Sequence, residues 1–223
     1  MSYIKALRTH PSAGLLTVQI LGVVLYPLME SSPKGRALFS LFGMLVLGLV
    51  LWVVRKGPWL TWLGVLLALP VFVMTAMSLA APHPTLAIVS AALQSVLYFY
   101  AAGSLIAYML KDWNVALDDL FAAGATFTLL AWAFALLFTM LQGLEPGAFG
   151  LSDDGLALRS WTELLFLSVA LLSSVGLSDI LPVSPMARAF VMLESVAGVM
   201  YIALVVSRLI SLATSRREPP PTS

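Results

Sequence analysis

Long apolar runs alternate along this chain with short clusters of Pro, Gly and charged residues. Six runs are long enough to cross a bilayer as helices, which takes roughly 17 to 25 residues: Ala13 to Met29, Ala37 to Val54, Trp59 to Ala80, Thr85 to Leu110, Leu120 to Gln142 and Met186 to Leu212. The breaks carry turn or headgroup chemistry, as in Ser31-Ser32-Pro33-Lys34-Gly35, Arg55-Lys56-Gly57-Pro58, Pro82-His83-Pro84 and Lys111-Asp112-Trp113-Asn114. Between the fifth and sixth runs the pattern changes. Ser160 to Leu172 is apolar but too short to span, and the polar stretch Ser173-Ser174-Val175-Gly176-Leu177-Ser178-Asp179 follows it. Non-helical backbone at membrane depth is tolerated only where protein buries it or water lines it, so a short helix, a polar loop and a spanning helix predict a re-entrant pore segment.

The start of the short helix is legible. Ser160-Trp161-Thr162-Glu163 has the form of a capping box, with Ser160 as N-cap and Glu163 three residues on, so the helix begins at Trp161. It ends near Leu172, and the negative end of its dipole would favour a cation over an anion. A chain returning from there in extended form would offer the carbonyls of Ser174, Val175, Gly176 and Leu177 to a monovalent cation, with Asp179 concentrating cations at the outer mouth. Gly143 to Leu158, rich in Gly and carrying Pro146, Glu145, Asp153 and Asp154, reads as a solvated outer turret.

Composition places the whole arrangement in a membrane. With 60% hydrophobic residues, 10% charged residues and a mean hydropathy of +0.97, the chain lacks the polar surface of a soluble globule. The net charge of +1 and the scattered basic residues argue against a nucleic-acid partner. The absence of cysteine excludes disulfides and thiolate sites, and His10 and His83 are isolated interfacial residues. No paired carboxylates, clustered histidines or nucleophile with a base point to an enzyme or to a cofactor. If both termini are cytoplasmic, eight of the 12 Lys and Arg residues face inward, which favours that orientation and puts the polar loop outside. The fourth run has no charged residue, so it has none of the arginines of a voltage sensor.

The stretch from Ser173 to Pro182 resembles the Thr-Thr-Val-Gly-Tyr-Gly-Asp-Ile-x-Pro signature of the potassium-channel family. Arg188 and Gly198 match that family's inner helix, with its outer basic residue and gating-hinge glycine, and the likeness covers about Leu120 to Leu212. It implies passive conduction of potassium by a homotetramer in which residues 174–178 form the ion-coordinating filter, Trp161 and Glu163 lie on the pore helix, and Gly198 serves as gate or hinge. Three departures fall where selectivity is set. Ser174 replaces a threonine and keeps a hydroxyl that can face the cavity. Leu177 replaces the tyrosine whose phenol braces the family's filter, and Ser178 replaces a glycine used there for positive φ, where a side chain costs on the order of 1 kcal/mol. A weakly selective cation channel and a non-conducting scaffold are therefore the alternatives.

The expected fold is an all-α integral membrane protein: six transmembrane helices with a re-entrant pore helix and filter between the fifth and sixth, in a tetrameric pore. A four-helix membrane domain would occupy residues 1–117, the pore domain 118–213 and a disordered cytoplasmic tail 214–223. The partners implied are lipid and three further copies, with no nucleic acid and no cytosolic ligand domain. The location implied is a cell membrane, of the bacterial inner-membrane type. Glu194, within the sixth run, either braces the filter and senses pH or is a neutral acid satisfied by a neighbouring helix. Gly198 reads equally as a close-packing glycine. Asp118 and Asp119 suit a helix N-terminus, or with Asp112 could couple the first four helices to the gate.

Overall fold

The computed structural model describes residues 11–30, 42–43, 46, 48–49, 61–81, 83–111, 117–150 and 158–215. Six helices order the chain: α1 (Pro11–Glu30), α2 (Thr61–Ala80), α3 (Pro84–Lys111), α4 (Leu117–Leu144), α5 (Trp161–Leu172) and α6 (Pro185–Ser215). Five positions of the expected second run, between residues 42 and 49, are helical, and the rest of that run lies outside the described residues. So do His10, Asp112, Asp153, Asp154 and residues 216–223, while α6 extends through Ser215, two residues into the segment read as tail.

Three helices among the described residues are long and apolar enough to cross a membrane: Pro84–Leu110, Asp118–Leu144 and Pro185–Arg208. The apolar stretches Ser12–Tyr26 and Leu63–Met77 are shorter. At 1.5 Å per residue each would cover about 22 Å of a hydrocarbon layer about 30 Å thick.

The centre of the bundle is α4, with 61% of its spanning window buried, against 39% for α3 and 17% for α6. Its sequence explains this. Ala122, Ala125, Ala131, Ala133 and Ala135 are fully buried, and such small side chains let neighbouring backbones approach closely where no water drives association. Two neighbours hydrogen-bond to α4 itself. Ser95 Oγ of α3 donates to Ala133 O at 2.8 Å, and Ser168 Oγ of α5 donates to Ala131 O at 2.9 Å. Aromatic edges fill the remaining space, with Phe99 against Phe134 (centroids 4.8 Å apart) and Trp132 against Trp161 (5.6 Å). Asp118 and Asp119 stand in the first turn of α4, where their charge suits the helix dipole, and Ser12 Oγ donates to Asp118 Oδ2 at 3.2 Å.

One segment departs from expectation. The stretch read as a solvated turret is exposed at Glu145 and Pro146 but turns into the protein at Ala148 and Phe149, each 1% exposed. Phe149 packs on Phe138 of α4 at 4.9 Å, because an aromatic ring buries more apolar surface there than a Gly-rich loop would suggest.

Candidate functional site

The site is built from α5, the segment 173–184 and the first half of α6. The capping box at the head of α5 is complete: Glu163 N donates to Ser160 Oγ at 3.3 Å, and Ser160 N donates to Glu163 Oε2 at 2.6 Å. Arg159 Nη1 adds a 2.9 Å ion pair to Glu163 Oε1, and Gln142 Nε2, near the end of α4, donates to Arg159 O at 2.8 Å. Burial opposes ionisation of Glu163. The Ser160 amide, the Arg159 guanidinium and the Ser160 hydroxyl outweigh it and hold the carboxyl below its ordinary range. Trp161 is wedged between the rings of Tyr26 and Trp132, and Trp161 and Glu163 both stand in the first turn of α5.

Below this cap α5 buries Leu164, Leu165, Leu167, Ser168, Ala170 and Leu172, and leaves Phe166 and Val169 exposed. It ends in a Schellman motif: Val175 N donates to Ala170 O at 3.1 Å, and Ser174 N donates to Leu171 O at 3.0 Å. The motif needs a left-handed residue, and Ser174 takes that role with φ 59°. Backbone strain thus falls on Ser174, where the sequence placed it on Ser178. Among the described residues Ser174 is the only non-glycine with positive φ. Gly176 N also donates to Ala170 O at 3.0 Å, so the carbonyls that end the helix are largely engaged by their own chain.

The expected extended return is bent. Gly176 has φ 67°, and Ser178 N donates to Gly176 O at 3.0 Å, an i to i+2 contact that closes a γ-turn on Leu177. Ser178 avoids the left-handed region. Its Oγ accepts the Ile180 amide at 3.1 Å, a bond that glycine could not make. Ser174, Val175, Gly176, Leu177 and Asp179 are all exposed in the single chain, and Leu177 reaches 71%. The end of the segment is anchored where composition gave no hint. Ala148 O accepts from Val183 N at 2.8 Å and from Ser184 N at 3.3 Å, and Ile180 is buried.

The start of α6 carried a signal in the sequence, Ser184-Pro185: the Ser184 hydroxyl accepts from Ala187 N at 3.1 Å, and proline occupies the first helical position. Arg188 Nε reaches back to Pro182 O at 3.2 Å. Glu194 is fully buried, and its Oε1 meets Ser168 Oγ, which also faces Ala131 O. One hydroxyl has one hydrogen for two acceptors, and Glu194 Oε2 has no hydrogen-bond partner among the described residues. Gly198 lies against α5. A Cβ there would stand 2.5 Å from Leu172 O and 2.8 Å from Leu172 Cα, so the absence of a side chain is what permits the contact. It lies inside the uninterrupted helix α6.

Among the described residues no group of three or more acidic or histidine side chains could hold a metal ion. The arrangement offers backbone and hydroxyl oxygen instead. Residues 95–215, more than half of the chain, match a family profile described as ion channel. No curated protein and no solved structure matches the chain.

Proposed function

The chain belongs to the ion-channel family, and from that premise we propose that it conducts monovalent cations, potassium foremost, passively through a pore made by four copies. One observation carries this reading. A 12-residue helix, flanked by the long apolar helices α4 and α6, hands over to a non-helical segment whose backbone a single chain leaves exposed. Exposed polar backbone is not stable against lipid, so it has to face protein or water. Four such strands around an axis would be covered by each other and by ions. The sparse burial of α6 supports the same assembly, because its apolar faces are left for neighbouring copies.

In this reading the carbonyls of Ser174, Val175, Gly176 and Leu177 replace the hydration shell of the ion, Asp179 draws cations to the outer mouth, and α6 lines the path around Gly198. The protein lies in a cell membrane of the bacterial inner-membrane type with both termini cytoplasmic. Residues 118–213 form the pore domain, the four-helix domain of residues 1–117 surrounds it, and lipid is the other partner. The second reading, a weakly selective pore, draws on the γ-turn: a Gly176 carbonyl held by Ser178 N is turned toward its own chain.

Bi-ionic recordings of purified protein in planar bilayers separate these readings. A reversal potential displaced by at least about 58 mV, a tenfold preference for potassium over sodium, supports the selective pore. A value near zero supports the second reading. No flux in liposomes removes both and leaves a scaffold.

A further inference from the structure

Glu194, Tyr201 and Arg208 follow one another at intervals of seven along α6. Two turns of a helix bring residues seven apart onto one face with a drift of about 20°. Each of the three meets a different element. Glu194 contacts Ser168 Oγ of α5, the Tyr201 hydroxyl donates to Ala123 O of α4, and Arg208 Nη2 donates to Met109 O of α3. In a helix whose spanning window is only 17% buried, these three side chains make polar contacts to three other helices of its own chain.

The two halves of α6 are held differently. The upper half is seated: Gly198 lies on the Leu172 backbone, and Glu194 is enclosed. The lower half borders an apolar groove of about 350 Å³ between α4 and α6, with Leu120, Gly124, Phe127, Ile202 and Val205 among its walls. Beside this groove, where close packing is missing, Tyr201 and Arg208 make directional contacts. Met109 stands in the last turn of α3, whose final four carbonyls have no partner within the helix, and a guanidinium there suits both the orphan acceptor and the dipole.

We propose that Tyr201 and Arg208 are positioning residues of the gate, a two-point latch that fixes the lower half of α6 to the first turns of α4 and the last turn of α3. The helices that precede the pore domain thereby act on the pore through the C-terminal turn of α3. This rests on the reading of α6 as the pore-lining helix. The lower half moves by releasing Ala123 O and Met109 O, while the upper half stays seated on α5.

Single-channel recording of the reconstituted full-length protein tests the latch with Tyr201→Phe, Arg208→Gln and Arg208→Lys. Tyr201→Phe removes one oxygen and keeps the ring. The expected result is a shift of the open–closed equilibrium by about fivefold or more in both Tyr201→Phe and Arg208→Gln, in the same direction. Unit conductance and reversal potential should stay unchanged, and Arg208→Lys should return toward wild type because an ammonium can also donate to Met109 O. Wild-type gating in Tyr201→Phe overturns the latch, as do shifts of opposite sign or loss of assembly in Tyr201→Phe. A silent wild-type protein refutes the conduction reading itself, whereas a conducting wild type with unaltered variants refutes only the latch.

Discussion

The backbone of Leu172 occupies the space that a side chain at Gly198 would need, with its carbonyl oxygen 2.5 Å from where a Cβ would stand. A backbone cannot swing aside as the tip of a long side chain can. Gly198→Ala should therefore pry α6 from α5 at a cost of about 1 to 3 kcal/mol, the usual range for overpacking, and lower the melting temperature of the protein in detergent. A glycine that serves only as a hinge would give the opposite pattern, with stability kept and opening impaired.

Ser174 holds a left-handed conformation that glycine adopts freely. Ser174→Gly should raise thermal stability by up to about 1 kcal/mol, and Ser174→Thr, branched at Cβ, should lower it. A melting curve that ranks the three in any other order means that the hydroxyl matters more than the backbone.

Ser178 ties down the exit of the polar segment after α5 through its hydroxyl. Ser178→Ala should free the Ile180 amide at a cost of about 1 kcal/mol and move the reversal potential toward zero, while Ser178→Thr should retain the wild-type value. Equal potentials in all three proteins would show that the bond does not shape selectivity.

Acid should undo the head of α5. The Glu163 carboxyl is held below its ordinary value of 4.5, so its contribution is fully present above that pH and is lost as pH falls through the lowered value. Thermal melts across pH 6 to 3 should show a decline for wild type that is smaller in Glu163→Gln. Ser160→Ala should cost about 1 kcal/mol at neutral pH. A pH profile unchanged by Glu163→Gln would assign the acid sensitivity to another group.

Much of this arrangement was legible because it is local. The capping box from Ser160 to Glu163 and the short apolar stretch after it place α5 at its observed bounds, since caps and periodicity act within a few residues. Ser174 was legible only as a member of a motif. That it would take the left-handed position follows from how the helix ends, and the likeness to a glycine-bearing signature drew attention to Ser178 instead. Ala148 and Phe149 were hidden for another reason. Their partners are Val183, Ser184 and Phe138, and nothing in a Gly-rich stretch records contacts made so far along the chain. Gly198 reads from sequence as hinge or packing residue alike, because the Leu172 backbone beside it belongs to another helix. Glu194, Tyr201 and Arg208 could have been found from their spacing alone, as three polar side chains at a fixed interval in an apolar run.

The Ala148 carbonyl accepts from both Val183 and Ser184, so the loop after α4 and the exit of the polar strand share one rigid joint. The loop is thereby a handle. An antibody or small protein that grips the exposed Glu145 and Pro146 from the aqueous side would pull on the polar segment through this joint without touching it, and would stop flux from a footprint well away from the ion path.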